Sequence, residues 1–335
     1  MSASKYTRRR LLAHSSSLAA LGLGSFAWPG AHAQKADFPT RPVKLIVPTA
    51  PGAGMDASTR LLAENLAKAW GKPVVVENKP GGNSLVGYHA FKAAKGDLHT
   101  LFIADIGFMS IQPSIPAAEP VEPRTAFKPI TDLFTTNFVL LARPDRFGSL
   151  ADLLKAAKEK PDALNFGASG IASGQRLSVE LLKAQAGCNL TFIPYAGNGP
   201  ALTALVAGDV DLVSIGLPPS KAFIDTGRLK ALAVTSAQRS AVLPQVPTVN
   251  EAAGLKDYAA DSWVGVFGPP EMPDAMAAAL QRDVKAALDS TAIEMFFKTN
   301  DYTLGGNSGA ALTQRAERDR EKYRKLIVDL RLSLA

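Results

Sequence analysis

The chain has 335 residues, and its 37 lysines and arginines against 30 aspartates and glutamates leave a net charge of +7. Four of those cations (Lys5, Arg8, Arg9 and Arg10) stand in the first 33 residues, which hold no acid. Subtracting them leaves +3 on residues 34–335, too little and too evenly spread for a nucleic-acid partner but compatible with a small anion. Cys188 is the single cysteine, so no intramolecular disulfide can form; with only His89 and His99 beyond residue 33, no His/Cys metal cluster is expected.

Thr7-Arg8-Arg9-Arg10-Leu11-Leu12-Ala13, an uncharged Ala/Leu/Gly/Ser stretch and Ala31-His32-Ala33 are the three parts of a cleavable export signal over residues 1–33. The paired arginines resemble a twin-arginine leader, with Leu11 where that pattern prefers Phe and Ala13 where it prefers Lys. A membrane anchor is the competing reading. The stretch is broken by Ser15 to Ser17, Gly22 and Gly24, and it is short for about 30 Å of hydrocarbon. Cleavage is expected after Ala33, so the mature chain is expected to be exported.

From there strand and helix signals alternate. Val43 to Val47 reads as a strand ended by Pro48, Ala57 to Trp70 as a helix stopped by Gly71 and Pro73, then Pro73 to Val76 and Thr100 to Ala104 as strands. Ser149 to Asp152 has capping-box spacing and opens a helix to about Glu159. Leu164 to Phe166, Leu190 to Ile193, Val210 to Ser214 and Leu229 to Val234 read as strands. Between them lie helices at Ser173 to Ala186, Pro200 to Ala207 and Pro218 to Thr226. The C-terminal part reads as helical at Pro273 to Asp289 and Gly309 to Asp329. This alternation predicts an α/β fold with mostly parallel sheets flanked by helices, and ligand chemistry at the carboxyl ends of strands.

Three strand-to-helix loops have that position. The first, Pro48 to Asp56, offers the backbone of Thr49, Ala50, Gly52, Ala53 and Gly54 to an anion, with Asp56 as the cap that holds the loop. It lacks the Gly-Lys-Ser/Thr of a phosphate loop. Gly52-x-Gly54-x-x-Ala57 fits a dinucleotide fingerprint, with Glu77 where a ribose-binding acid belongs, although Pro48 and Pro51 stretch the turn. The second loop, Gly167 to Gly174, offers Ser169, Gly170 and Ser173; Ser173 reads equally as the N-cap of the next helix. The third, Pro194 to Pro200, offers Tyr195, Gly197 and Asn198, with Pro200 at the first helical position. Ser214 lies at the end of a further strand. No nucleophile–base pair or Gly-x-Ser-x-Gly elbow accompanies these loops, so no catalytic residue is assigned and binding without turnover is expected.

Val47-Pro48-Thr49-Ala50-Pro51-Gly52-Ala53-Gly54-Met55-Asp56 resembles the loop that opens the substrate-binding proteins of tripartite tricarboxylate transporters, the Bug or TctC-type family. Val76 to Gly82, Pro194 to Leu202, Leu229 to Thr235 and Pro244 to Glu251 resemble its further signatures, in family order. The resemblance implies a two-lobed, type II-like periplasmic binding protein. Lobe 1 would comprise residues 34–136 and 256–335 and lobe 2 residues 137–255, with crossings near Thr136 and Leu255. It also implies a small organic acid held between the lobes by amides, hydroxyls and water, a monomer, no cofactor, and membrane subunits of the transporter as partners. Departures cluster at the expected cleft: Met55 replaces a small polar residue, no His stands near Gln175-Arg176, Ser214-Ile215-Gly216 lacks an Asp, and Gly81 to Ser84 is altered. Arg176 reads as a solvated helix residue or as a second charge for a dicarboxylate. An exported nicotinamide-dependent oxidoreductase, or a loaded receptor signalling to a membrane sensor, are the alternative functions.

Overall fold

In a computed structural model of the chain, residues 38–115 and 121–332 are described. The expected export signal and its cleavage point lie outside them. From Pro39 onward the strands are β1 (Val43–Val47), β2 (Val74–Asn78), β3 (Thr100–Asp105), β4 (Lys128–Ala142), β5 (Asn165–Ser169), β6 (Thr191–Tyr195), β7 (Leu212–Gly216), β8 (Lys230–Val234), β9 (Asp261–Gly268) and β10 (Tyr302–Leu304). The helices are α1 (Gly54–Trp70), α2 (Leu85–Ala93), α3 (Pro123–Ala126), α4 (Leu150–Glu159), α5 (Gly174–Ala186), α6 (Asn198–Ala207), α7 (Leu217–Asp225), α8 (Val249–Ala253), α9 (Asp274–Leu288), α10 (Thr291–Thr299) and α11 (Gly309–Asp329).

One mixed sheet runs in the order β2-β1-β3-β9-β4-β7-β5-β6, with β8 and β10 also paired to β4. Strands joined through helices pair in parallel, β1 with β2 and β3, and β5 with β6 and β7. That is the crossover geometry expected of βαβ units. The antiparallel pairs all involve β4 or β9, two strands absent from the sequence-based expectation.

β4 joins the two parts of the sheet. Lys128 to Asn137 pair with β9, and from Phe138 the same strand pairs with β7 and β8. Because side chains alternate along a strand, its second half feeds two cores. Leu140 and Ala142 point into a cluster with Leu153, Phe166 and Leu182, whereas Val139 and Leu141 join Leu202, Val213 and Val234 on the other face. A further cluster under β1, β3 and β9 is aromatic, built around Phe91, Phe102, Phe108, Phe127 and Trp263. Each such side chain, fully buried, contributes about 1.5–3 kcal/mol.

The caps explain the helix limits. Ser149 Oγ accepts the Asp152 N–H at 3.1 Å to start α4, and Gly187 ends α5 in the left-handed region at φ 64°. Two boundaries differ from expectation. α1 starts at Gly54, three residues early, with Ala53 as an N-cap that has no side-chain acceptor. α6 starts at Asn198, which makes Pro200 its third residue; in the first turn the missing N–H still costs nothing. Among the described residues, no helix is long and apolar enough to cross a membrane, and no cluster of His, Cys, Asp and Glu has metal-site spacing.

Candidate functional site

Parallel pairing brings the carboxyl ends of β1 and β3 together and, separately, those of β5, β6 and β7. The first loop follows β1. Its tip is closed from behind: Asp56 Oδ2 accepts the Gly52 N–H at 2.8 Å, and Oδ1 accepts Asn78 Nδ2 at 2.8 Å. Arg60 Nε lies 3.0 Å from the same carboxylate, and Asn78 Nδ2 also reaches the Thr49 carbonyl at 3.1 Å. Burial raises the Asp56 pKa, but hydrogen bonds from Arg60, Gly52 and Asn78 outweigh it and hold the group below its ordinary value. Asp56 thus ties the loop back from inside the first turn of α1, whose N-cap is Ala53. Arg60 and Asn78, the latter from the Val76 to Gly82 stretch, complete that lock.

The lock occupies the Gly52 amide, which removes it from the donors counted from sequence. The Ala53 amide is also turned inward, to the Ala50 carbonyl at 3.3 Å. The first intrahelical bond of α1 runs from Ala57 N–H to the Ala53 carbonyl at 2.9 Å, so the amides of Gly54 and Met55 lie ahead of it. Thr49 Oγ1 is shielded from solvent and has no partner. Ala50 and Gly52 are exposed; Ala53 and Gly54 are half-buried.

In the second loop, Ser169 is half-buried and no described residue bonds its hydroxyl. Gly170 sits at φ 81°, and its N–H goes to the Tyr195 carbonyl at 3.1 Å. Ser173 proves to be the N-cap of α5: its Oγ accepts the Arg176 N–H at 3.1 Å and donates to the Gly170 carbonyl at 3.2 Å. The third loop packs beside the second. Asn198 Oδ1 lies 3.5 Å from Gln175 Nε2, and Gly197 is the N-cap of α6 at φ 150°. The half-buried Tyr195 ring covers Gly167, where a Cβ would come within 3.0 Å of it. Burial and Asp209 raise the phenol's pKa, so it stays neutral.

Three sequence readings are corrected here. Ser214 is buried and its hydroxyl faces Ser178 Oγ at 2.7 Å inside the core, so it does not line an open cleft. Arg176 is neither solvated nor presented to a ligand. Its guanidinium lies over the Phe192 ring at 4.1 Å, reaches the Ile171 carbonyl at 3.2 Å and pairs with Glu180 at 3.5 Å. Glu77 is occupied by Lys44 at 2.9 Å and Lys79 at 2.8 Å, which takes away the ribose-binding acid of the dinucleotide alternative.

The two sets of loops meet through the Gly81 to Ser84 segment and the turn after β3. Asn83 and Ser84 adopt positive φ (49° and 73°), a strained conformation outside glycine. Asn83 Oδ1 would lie 3.5 Å from a Cβ at Gly170. Ala172 and Leu177 pack into the same core as Ile106 and Phe108. A separate cavity of about 510 Å³ lies against β4, β9, β10 and α11, but its charged lining is largely paired internally. Arg315 bonds Thr135 and Asp261, Asp132 takes Asn307, and Asp319 takes the Trp263 indole.

The comparisons with known proteins agree with this architecture. Residues 58–332 match the family described as tripartite tricarboxylate transporter family receptor. The chain is 31% identical over 273 residues to BugT of Bordetella pertussis, covering 79% of this chain and 82% of that one. A solved structure from R. palustris with adipate aligns at a TM-score of 0.77 and 30% identity over 87% of this chain and 97% of that chain. MatC from Rhodopseudomonas palustris with bound malate aligns at 0.77 and 27% identity over 87% and 100%. The chain belongs to the tripartite tricarboxylate transporter receptor family, and the solved periplasmic binding protein BugD aligns with it at a TM-score of 0.77 and 29% identity over 87% of this chain and 98% of that chain.

Proposed function

We propose that this chain is a periplasmic receptor that captures a small organic acid between its lobes, without catalysis, and delivers it to the membrane subunits of a tripartite tricarboxylate transporter. The observation that carries the reading is the set of unengaged neutral donors at the strand ends. Thr49 Oγ1, Ser169 Oγ and the Gly54 and Met55 amides stand in loops that hold no lysine or arginine. Amides and hydroxyls bind a carboxylate strongly when water is excluded, and a helix N-terminus adds positive potential. Tyr195 and Asn198 supply further polar groups from the third loop.

The lobes meet where β4 changes partners, between Asn137 and Phe138. We place the return crossing at Ala260-Asp261 instead of near Leu255, because Tyr258 and Ala260 pack into the second-lobe core while β9 begins at Asp261. Export by the leader and removal after Ala33 deliver the receptor to its compartment.

Mass spectrometry of the compound released from periplasmic protein identifies the acid, and its intact-mass companion shows whether the chain starts at Gln34. Calorimetry then compares the acid with its amide, which cannot present two anionic oxygens. A much weaker amide supports the reading; equal affinities defeat it.

A further inference from the structure

β1 and β3 run parallel with Ile46 opposite Phe102. Continued three residues, that register sets Thr49 beside Asp105 at the carboxyl ends of both strands. Asp105 Oδ1 accepts the Phe108 N–H at 3.1 Å, which ties β3 to the helical turn at Gly107–Ile111. The Gly107 N–H also bonds this carboxyl group, and among the described residues no side chain is seen to pair with it. Gly107 stands between this carboxyl group and the other lobe: a Cβ there would lie 3.1 Å from Asp105 Oδ1 and 3.4 Å from the Ala172 carbonyl. The half-buried Asp105 therefore stands at the strand ends from which the first loop, with its unpartnered Thr49 hydroxyl, also departs, and across Gly107 from the Ala172 carbonyl.

Its charge is not balanced there. Residues 48–56, 81–84, 105–112, 169–175 and 195–200 contain no lysine or arginine, and Arg176 is turned onto Phe192 and Glu180. Asp56, the other acid nearby, already has Arg60 and Asn78. Burial raises the Asp105 pKa, the backbone N–H groups of Phe108 and Gly107 offsetting only part of it. A carboxyl group so placed repels a second ligand carboxylate and gains from a cation.

We propose that Asp105 selects organic acids that carry a protonated nitrogen beside the carboxylate, an α-amino acid being the simplest form. The ligand carboxylate goes to the donors of the first and second loops, and its nitrogen goes to Asp105 Oδ2. A dicarboxylate, by contrast, finds no cationic side chain for its second anion. This rests on the carboxylate-receptor reading above.

Two matched series test it by calorimetry: aspartate, malate and succinate, and alanine, lactate and propionate. Within each series the acids differ only by ammonium, hydroxyl or hydrogen at one carbon. The wild-type protein is expected to prefer the ammonium acid in the series it accepts. Asp105→Asn keeps an oxygen for the Phe108 N–H and removes the charge. It is expected to weaken the ammonium acid about ten- to a hundred-fold while leaving the unsubstituted acid unchanged or tighter. Wild-type preference for the unsubstituted acid overturns the selection and leaves the receptor intact, and this arm needs no variant to fold. If none of the six binds, the compound released from native protein decides. A nitrogen-bearing acid weakened by Asp105→Asn supports the proposal, an acid without a cationic nitrogen overturns it, and a compound without a carboxylate overturns the receptor reading as well.

Discussion

Asp56 reaches back from the first turn of α1 and accepts the Gly52 amide at 2.8 Å, so the helix closes the very loop that leads into it. The same carboxylate carries Arg60 and Asn78, and its side chain is only 2% exposed. Replacing it by Asn leaves one neutral oxygen to serve the Gly52 amide, the Arg60 guanidinium and the Asn78 amide. Asp56→Asn is expected to cost about 1–3 kcal/mol in urea unfolding at neutral pH. Because the folded-state pKa lies below the ordinary carboxylate value, the charge-dependent stabilisation is complete above about pH 5 and is lost as pH falls through the folded value. The gap between wild type and Asp56→Asn should therefore be level from about pH 5 to 8 and shrink below about pH 4. A gap that persists undiminished at pH 2 would mean that shape, not charge, holds the loop.

Ser173 separates a stability effect from a binding effect. With its oxygen accepting the Arg176 N–H and its proton given to the Gly170 carbonyl, the hydroxyl is occupied at both ends. Ser173→Ala is expected to lower stability by about 0.5–2 kcal/mol, the usual cost of losing an N-cap. Ligand affinity should change less than threefold. A tenfold loss of affinity with unchanged melting temperature would reassign the hydroxyl to the ligand.

Gly52 and Gly54 are two residues apart and should fail for different reasons. At Gly52 a Cβ would meet nothing within 4 Å, but φ is +83°. Gly52→Asn, which tolerates the left-handed region, should fold with little loss, whereas Gly52→Val should cost well over 1 kcal/mol. At Gly54 the added Cβ would come 2.3 Å from the Tyr302 hydroxyl. Tyr302 cannot yield freely because its ring is stacked on Phe134 at 4.4 Å. Gly54→Ala should therefore destabilise despite its better helix propensity, and Tyr302→Phe in the same chain should restore part of the loss. Thermal melts of the single and double variants decide between backbone strain and collision.

Legibility in the sequence followed the strength of local signals. The α4 and α5 boundaries were readable because Ser149, Ser173 and Gly187 are cap residues whose side chain or φ does the capping. β4 was not, because Thr135-Thr136-Asn137 interrupts its apolar pattern where it passes from one partner set to another. β9 was hidden by glycines at 265 and 268, tolerated because Leu312 and Met272 press against them. At the site, the glycine loops were legible, but which amides remain available was not. That depends on acceptors such as the Asp56 carboxylate for Gly52, the Ala50 carbonyl for Ala53 and the Tyr195 carbonyl for Gly170, whose roles sequence spacing does not reveal. Ser214 and Arg176 were misread for the same reason, since burial is decided by packing across elements.

The chain leaves and rejoins the β4–β9 ladder at a single rung, Asn137 paired to Asp261. Residues 138–260 are thus hung like a cassette from a doorway of fixed width. Lengthening, trimming or exchanging what hangs there leaves the distance between entry and exit unchanged. The loops after β5, β6 and β7 can therefore diverge while the ends of β1 and β3, which bear Thr49 and Asp105, keep their own pairing. On the proposed reading, new ligand preferences can accumulate in such a chain without rebuilding its frame.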